Sequence, residues 1–245
     1  MSQYRLEKYN LIELKQMAAK MDLPARRSKT EMIQDISSAF SEYEEYKKEK
    51  IDRYTKHKQL GEKGKEGTAY LVTDHHGKEY AMKTFRSGKS STTLYKEYSL
   101  QKKAAKAGVA PRVYDYDTVG KWILMEKMDE HLYEQIDREK GIIHKKQQER
   151  LLEIFRKLDE VGVFHNDANI CNYMTKNGEI YLIDYGFSKE ITPKLKKKLS
   201  TEHPNSRLML IGLILKLKER KIPVKSYKYL LGQVSKEDRE KFNLL

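Results

Sequence analysis

Two short stretches in the second half of the chain contain polar residues suited to phosphoryl transfer. In the first, His165 and Asp167 are followed by Asn172, five residues after the aspartate. In the second, Asp184 begins an Asp-Tyr-Gly sequence. Phosphoryl transfer needs a carboxylate that takes or orients the acceptor proton, and an amide and a second carboxylate that hold charge-neutralising metal ions. The first role is predicted for Asp167, and the metal-binding roles are predicted for Asn172 and Asp184.

Upstream of these stretches the chain carries further residues that could bind phosphate. Gly61, Gly64 and Gly67 recur at intervals of three between strand-like runs. Backbone amides approach phosphates closely only where side chains are absent, although glycines also serve ordinary hairpin turns. Sixteen residues after Gly67, Lys83 ends a Tyr-Ala-Met-Lys sequence, and Glu97 follows fourteen residues later. Lys83 or Glu97 alone would be read as a solvated charge, but the ordered coincidence of all these elements favours a common site.

These residues resemble the motifs of the protein-kinase family. The family has a His-Arg-Asp catalytic loop with a downstream Asn, an Asp-Phe-Gly motif and a Val-Ala-Ile-Lys strand. The resemblance implies ATP and Mg²⁺ as cofactors, with Lys83 on the nucleotide phosphates and Glu97 paired to it. It further implies that the three glycines cover the phosphates. Ala81 and the backbone from Glu126 to Met128 would then contact the adenine.

The periodicity predicts the elements that position these residues. Glu97 is expected on a helix spanning residues 92–106, and the catalytic loop is expected to follow an amphipathic helix over residues 147–158. A strand and hinge are predicted over residues 122–128, and a shorter helix over residues 128–138. Helical and strand patterns are mixed, so the fold class is predicted as α+β. The resemblance to protein kinases implies a bilobal kinase-like fold with a truncated C-terminal lobe.

Several features depart from the usual kinase pattern. Asn169 stands where many protein kinases have a lysine near the transferred phosphate, and Asn166 replaces the arginine of His-Arg-Asp. Losing such a charge could lower the rate by roughly 10²–10³ if nothing replaces it. Minimal kinases secreted by bacterial pathogens show a similar Asp-x-Asn-x-x-Asn pattern, so Asn169 is kept among the predicted catalytic residues.

The segment after Gly186 is short for a protein kinase. Only 59 residues follow it, and the sequence has no Ala-Pro-Glu. A phosphorylation-controlled activation segment is therefore predicted to be absent, and the next strong helix is expected over residues 205–220. In these respects the chain resembles compact atypical kinases of the RIO and Bud32 type. Its Asp-Tyr-Gly is similar to that of vaccinia-related kinases.

The first forty residues have the pattern of a separate module. An amphipathic helix is predicted over residues 9–21, a Leu-Pro turn follows, and a second helix begins near Ser28 with Glu31 in capping-box position. This layout resembles the SAP fold, a small DNA-binding module, although similar modules bind RNA or proteins. The predicted nucleic-acid contacts are the basic residues Lys15, Arg26, Arg27 and Lys29. The predicted domains are the module at residues 1–40, a charged linker helix at 41–52 and a kinase-like domain at 53–245, whose lobes meet at 127/128.

Composition limits the function classes. The single cysteine, Cys171, excludes a disulfide framework and indicates a reducing compartment. No stretch approaches the roughly 18 apolar residues of a membrane span, and no signal peptide is recognisable. The sequence therefore predicts a soluble intracellular protein of the nucleus or cytoplasm.

The positive charge is concentrated near the C-terminus. The net charge is +13, and residues 187–245 contain fifteen Lys and Arg against six Asp and Glu. Such a field attracts polyanions, which include acidic proteins, nucleic acid and anionic lipid. It also serves plain solubility.

Three functions are compatible with these patterns. The leading hypothesis is an ATP-dependent serine/threonine protein kinase acting on protein substrates and delivered to nucleic acid by residues 1–40. The second is a small-molecule phosphotransferase similar to aminoglycoside and choline kinases. The third is a non-catalytic scaffold, which the retention of Lys83, Asp167, Asn172 and Asp184 argues against.

Overall fold

The computed structural model describes residues 6–50, 53–61, 64 and 66–244. Parts of the predicted module, linker helix and glycine segment, at residues 1–5, 51–52, 62–63 and 65, lie outside the described residues, as does residue 245. The chain divides into two compact units. One contains residues 1–55 and 73–78, and the other contains residues 56–72 and 79–245.

The first unit is built on two helices. Helix α1 (Leu11–Lys20) begins at Asn10, whose side chain accepts hydrogen bonds from the amides of Ile12 and Glu13. Glu13 reaches back to the Asn10 amide, so a capping box fixes this start two residues later than the sequence predicted. Helix α2 (Lys29–Lys50) packs against α1 through apolar residues at helical spacing. Their shared buried core consists of Leu6, Leu14, Ala18, Met32, Ile33 and Ile36.

The second unit opens with a five-stranded sheet in the order β1-β2-β3-β5-β4. Its strands are β1 (Thr55–Leu60), β2 (Gly67–Thr73), β3 (Glu79–Phe85), β4 (Val113–Asp117) and β5 (Trp122–Met125). Helix α3 (Ser91–Lys106) follows β3, and the side chain of its N-cap Ser90 accepts a hydrogen bond from the Thr93 amide. Leu94, Leu100 and Ala104 on α3 are buried, so one face of the helix is fixed by packing.

The rest of this unit is mainly helical around one large core. Its helices are α4 (Leu132–Arg138), α5 (Lys145–Glu160), α6 (Pro193–Leu199), α7 (Leu210–Glu219), α8 (Lys228–Gly232) and α9 (Lys236–Lys241). Its short strands are β6 (Glu130–His131), β7 (Val163–Phe164), β8 (Tyr173–Lys176), β9 (Glu179–Leu182) and β10 (Lys189–Glu190). Strands β6, β8 and β9 form one antiparallel sheet, and β7 pairs with β10. The core contains Leu151, Ile154, Phe155 and Leu158 of α5, which confirms the amphipathic pattern predicted there.

Three further elements differ from the sequence-based prediction. Helix α4 begins at Leu132 rather than at residue 128, because residues 130–131 pair with β8 instead. Helix α6 lies in a segment where no helix was predicted. The predicted helix over residues 205–220 begins with a π-helical turn, Asn205–Met209, before α7. The predicted α+β class is confirmed. Across the described residues no helix has the length and apolar character needed to cross a bilayer.

Candidate active site

Lys83 lies at the centre of the predicted site. Strand β3 pairs with β5 so that Lys83 lies beside Ile123, and its side chain reaches α3. Its Nζ is 2.7 Å from Glu97 Oε1 and 2.7 Å from Asp184 Oδ1. Burial alone would lower the pKa of Lys83, but the two carboxylates outweigh burial and raise that pKa above its usual value. The lysine is therefore a fixed cation between the helix and the Asp-Tyr-Gly turn.

Asp184 projects from a tight turn. Its backbone is left-handed, with φ of 65°, and its Oδ1 accepts a hydrogen bond from the Gly186 amide at 3.3 Å. The side chain is 45% exposed, so one face of the carboxylate is open to ligands. Partial burial opposes ionisation, but Lys83 and the Gly186 amide keep the pKa of Asp184 below its usual value. Asp184 is therefore an anion at neutral pH, as a metal ligand must be.

His165 connects the two loops that carry the predicted chemistry. Its ring is fully buried, with Nδ1 3.0 Å from the Asp167 carbonyl oxygen and Nε2 3.0 Å from the Ile183 carbonyl oxygen. The ring also packs edge-on against Tyr185, with 4.9 Å between centroids. Burial lowers the pKa of His165 and outweighs the two carbonyl contacts, which favour the protonated ring. Its role is structural, because it fixes the spacing between the loop of Asp167 and the loop of Asp184.

The catalytic loop is ordered by its own side chains. Asp167 Oδ1 accepts a hydrogen bond from the Asn169 amide at 3.1 Å, and Asn169 Oδ1 accepts one from the Cys171 amide at 3.1 Å. Asn172 is buried, and its Nδ2 donates to the Asp167 carbonyl oxygen at 3.4 Å. Asn169 thus caps a short 3₁₀ turn. Asp167 is half-buried, and its Oδ2 has no hydrogen-bond partner among the described residues, so this oxygen is available to a ligand.

The candidate nucleotide-binding residues lie on inner strands of the same sheet and in the segment that follows β5. Ala81 on β3 pairs with Met125 on β5, directly before the predicted hinge. The Glu126 amide donates to the Arg112 carbonyl oxygen at 2.8 Å, so an adenine contact at Glu126 would use its carbonyl. Met128 is buried at the end of this segment.

Two of the three predicted phosphate-loop glycines have a visible backbone requirement. Gly61 has a φ of 66°, which a side chain tolerates poorly. A Cβ at Gly67 would overlap the carbonyl oxygen of Thr84, so β2 can approach β3 only with glycine there. At Gly64 a Cβ would lie 3.1 Å from the Gly67 carbonyl oxygen, which is tight.

Two charged residues that the sequence interpretation missed, Glu66 and Lys89, are linked to Lys83 through Glu97. Lys89 Nζ lies 2.5 Å from Glu97 Oε2 and 2.6 Å from Glu66 Oε2. The Lys89 side chain is only 7% exposed. A local signal existed, because Lys89 directly precedes the N-cap of α3, and a cation at a helix N-terminus is unfavourable unless it is paired.

The catalytic loop also depends on a buried amide that no motif indicated. Asn205 Oδ1 accepts a hydrogen bond from the His165 amide at 3.0 Å. Its Nδ2 donates to Asp159 Oδ1 and to the Val163 carbonyl oxygen, both at 2.8 Å. Asn205 therefore connects the π-helical turn, the end of α5 and the start of the catalytic loop.

The four predicted nucleic-acid contacts of the first unit differ in availability. Arg26 Nε donates to Asp35 Oδ2 at 2.8 Å, and Lys29 Nζ donates to the Glu7 carbonyl oxygen at 2.8 Å. Both side chains thus have partners within the unit. All four residues are nevertheless exposed.

The donor set suits magnesium bound together with nucleotide phosphates. Asn172 and Asp184 offer an amide and a carboxylate oxygen, the hard ligands that Mg²⁺ prefers. Within the described part of the chain, no three His, Cys, Asp or Glu residues converge on a point that could hold a metal ion. A magnesium ion here would therefore take its remaining ligands from water and phosphate, as is common in phosphotransferases.

Comparison with known proteins agrees with this geometry. The protein kinase domain family matches residues 54–205, which is more than half of the chain. This chain belongs to the protein kinase domain family. The predicted family is confirmed, whereas the SAP-like identity of the first forty residues stays a prediction.

A curated relative narrows the resemblance within the kinase family. The kinase chain is 29% identical over 125 residues to the KEOPS complex subunit Bud32 of Pyrococcus abyssi. The match covers 46% of this chain and 54% of the relative, so the chain spans about half the length of the curated relative it matches. This similarity supports the compact kinase type predicted from the short segment after Gly186.

Proposed function

We propose that this chain is an ATP- and Mg²⁺-dependent protein kinase that phosphorylates serine or threonine hydroxyls. The observation that carries the proposal is the Lys83 ammonium, which lies 2.7 Å from both Glu97 and Asp184. In protein kinases the lysine–glutamate ion pair and the metal-binding aspartate must both be in place for transfer. Membership of the protein kinase domain family supports the same activity.

Each predicted site residue has a role in the proposed reaction. Lys83, held by Glu97, would neutralise the nucleotide phosphates, and Asn172 and Asp184 would hold Mg²⁺, which would supply neutralising charge. The acceptor oxygen forms a bond to the γ-phosphorus as the bond to the ADP oxygen breaks. Asp167 orients the acceptor hydroxyl and takes its proton. The remaining predicted contacts, to phosphates and adenine, are Gly61, Gly64, Gly67, Ala81, Glu126, Met128 and Asn169.

A protein acceptor is favoured over a small molecule. The glycine segment and the Asp-Tyr-Gly turn follow the protein-kinase pattern, and the matching family is that of protein kinases. Aminoglycosides and choline are cations, and the concentration of lysines after Gly186 would repel them.

The proposed activity is tested by transfer of labelled γ-phosphate from ATP with Mg²⁺. The full-length protein is incubated with a basic protein, an acidic protein, choline or an aminoglycoside, and labelled proteins are hydrolysed to identify the phosphoamino acid. Lys83→Met and Asp184→Asn should abolish labelling. Lys236→Met, which removes an 86% exposed lysine, should leave labelling unchanged. Labelling that survives in both site variants, or that appears only on choline or the aminoglycoside, would contradict the proposal.

We further propose that the first unit delivers this kinase to nucleic acid. Lys15 and Arg27 are exposed basic residues of this unit that could contact phosphates. Local tethering would raise the effective substrate concentration and offset a small peptide-docking surface. The curated relative is named as a subunit of a complex, so a protein partner is the alternative ligand of this unit.

Binding of a labelled DNA duplex by the full chain tests the delivery proposal. The double substitution Lys15→Gln and Arg27→Gln should weaken binding and flatten its salt dependence. Substitution of Lys225 and Lys228 in the second unit removes the same charge and serves as the control. An equal loss of DNA affinity in both double variants would mean that binding depends on net charge alone. Unchanged DNA affinity in the Lys15/Arg27 variant would favour a protein partner.

A further inference from the structure

Lys89 is the least expected member of a chain of alternating charges. The chain runs from Glu66 through Lys89 and Glu97 to Lys83 and then to Asp184. Each of its four contacts is between 2.5 and 2.7 Å. Glu97 uses one carboxylate oxygen for Lys83 and the other for Lys89. The two lysines therefore hold Glu97 from both sides.

Lys89 occupies a place that is unfavourable for an unpaired cation. It precedes the N-terminus of α3, where the helix dipole repels positive charge. Its side chain is nearly buried, and its Nζ lies 4.3 Å from the centroid of the Phe85 ring. A desolvated lysine in such a position requires carboxylate partners. Its presence there follows from the pairing with Glu66 and Glu97.

Glu66 brings the glycine segment into the same network. Its carbonyl oxygen accepts a hydrogen bond from the Arg86 amide at 3.1 Å, which fixes the base of the segment on the end of β3. Its carboxylate extends over the Asp-Tyr-Gly turn, because a Cβ added at Gly186 would lie 2.8 Å from Glu66 Oε2. Through Lys89, the glycine segment is tied both to α3 and to the turn that carries Asp184.

We propose that Lys89 is a positioning residue that holds the kinase site in its competent arrangement before nucleotide binds. By pairing with Glu97 it fixes the carboxylate that orients Lys83, and by pairing with Glu66 it holds the residue that precedes β2 beside the Asp-Tyr-Gly turn. The inference rests on the proposed function. The two ion pairs of Lys89 would fix the Lys83–Glu97 arrangement, which in other kinases depends on a regulated activation segment.

The test separates the two halves of the network by substitution. Lys89→Met breaks both contacts, whereas Glu66→Gln weakens only the contact to the glycine segment. Lys89→Arg keeps a cation that can contact two carboxylates and should restore most of the wild-type behaviour. Lys106→Met removes an exposed lysine from the other end of α3 and is the control.

The first readout is amide hydrogen exchange of the protein without nucleotide. Lys89→Met should speed exchange both in β1 and β2 and in the first turns of α3, and Glu66→Gln only in the strands. The second readout is steady-state kinetics. Both variants should raise KM for ATP by about tenfold, the effect of one lost charge-assisted contact. Only Lys89→Met should also lower kcat, because only it releases Glu97.

Exchange and KM equal to wild type in Lys89→Met would overturn the inference. If Lys89→Met fails to fold, Glu66→Gln and Lys89→Arg decide: an unchanged KM and unchanged exchange in Glu66→Gln would equally overturn it. The exchange readout also separates this inference from the proposed function. A wild-type protein without turnover would refute the kinase activity, whereas loosened strands and helix in Lys89→Met would still support the positioning role.

Discussion

Asn205 uses both ends of its side-chain amide inside the core. Its oxygen accepts from the His165 amide, and its nitrogen donates to the Asp159 carboxylate and the Val163 carbonyl. An amide serves here because the site needs an acceptor and a donor on one short side chain. A carboxylate of the same shape could accept but could not donate unless it were protonated.

Asn205→Asp should therefore destabilise the fold by about 2–3 kcal/mol at pH 7.5, the cost of an unsatisfied buried charged group. The introduced carboxyl would face Asp159, so its pKa in the folded state would exceed its unfolded value. Its penalty is smallest when it is protonated, so the loss of stability relative to wild type should shrink as the pH falls from 7.5 to 5.

Urea unfolding of both proteins at several pH values measures this difference. Asn243→Asp places the same change at an exposed residue and should have little effect. A penalty that is independent of pH would show that the donor role of the Asn205 amide is unimportant.

At the scale of elements, the hairpin formed by β2 and β3 depends on one glycine. Gly67→Ala should cost about 2 kcal/mol or more, because its Cβ would overlap the Thr84 carbonyl and force the strands apart. Gly61→Ala should cost only about 1 kcal/mol, because strain arises from its positive φ and the surrounding space is open. Thermal unfolding of the two variants should rank them in this order, and the reverse order would refute the close approach.

The C-terminal helices are joined by an ion pair with a defined pH response. Arg207 Nε and Nη2 both donate to the Asp238 carboxylate at 2.8 Å, and Asp238 is 6% exposed. The Arg207 hydrogen bonds hold the pKa of Asp238 below its usual value. A carboxyl group whose pKa is lower in the folded than in the unfolded state contributes stability at pH values above its unfolded pKa. That contribution is lost as the pH falls through the folded pKa.

Asp238→Asn should accordingly lower the free energy of unfolding by about 2 kcal/mol at pH 7. The difference in this free energy between variant and wild type should become smaller below about pH 4. Melting curves from pH 7 to pH 3 provide the measurement. Glu240→Gln, in an exposed pair 3.9 Å from Lys236, should change stability by less than about 0.5 kcal/mol. A constant gap across this pH range would exclude the ion pair as its cause.

The success of sequence reasoning varied with the distance between interacting residues. The helix α5 was predictable because its apolar positions repeat at helical spacing, and its buried face includes Leu151 and Leu158. Helix α6 had local signals, with Thr192 as N-cap and Pro193 at its first position. It is only seven residues long, and its apolar residues Leu195 and Leu199 are only partly buried, so its apolar pattern is short.

Residues whose partners are distant in sequence left no such pattern. The partner of the Asn205 oxygen lies 40 residues away, and Glu66 is 23 residues from Lys89. Lys83 and Asp184 lie 101 residues apart, and they were found only because each belongs to a motif whose partners have a known order. The residues of the predicted site could therefore be recognised from the order of their motifs. The residues that hold them in place, such as Asn205 and Glu66, could not, because a single sequence does not show which distant residues pack together.

At the scale of the whole molecule, the excess positive charge is partly gathered beside α3. A groove of about 630 Å³ lies there, and its lining includes four lysines, Lys96, Lys189, Lys194 and Lys198, and one carboxylate, Glu190. Lysines on one low-dielectric wall raise the local concentration of anionic partners, and salt screens this attraction. The groove lies next to the helix that carries Glu97.

Acidic protein acceptors should therefore be phosphorylated with a lower KM than basic ones, and that KM should rise about tenfold between 50 and 300 mM salt. Replacing Lys194 and Lys198 by Gln should reduce the salt dependence more than replacing Lys225 and Lys228. Initial rates at several ionic strengths test this prediction. Equal effects of the two pairs would assign the attraction to net charge rather than to the groove.

The burial of Tyr185 has a consequence for inhibitor design. Its side chain is 1% exposed, and its ring packs edge-on against His165 inside the main core. Moving the Tyr185 ring out of the core would leave a cavity the size of an aromatic side chain and would destabilise the fold by about 3–5 kcal/mol. A compound that binds by displacing this ring must offset that cost, whereas a compound shaped to the closed Asp-Tyr-Gly turn does not. A selective inhibitor of this protein should therefore be designed to contact the residues predicted to bind adenine and the Glu66 carboxylate.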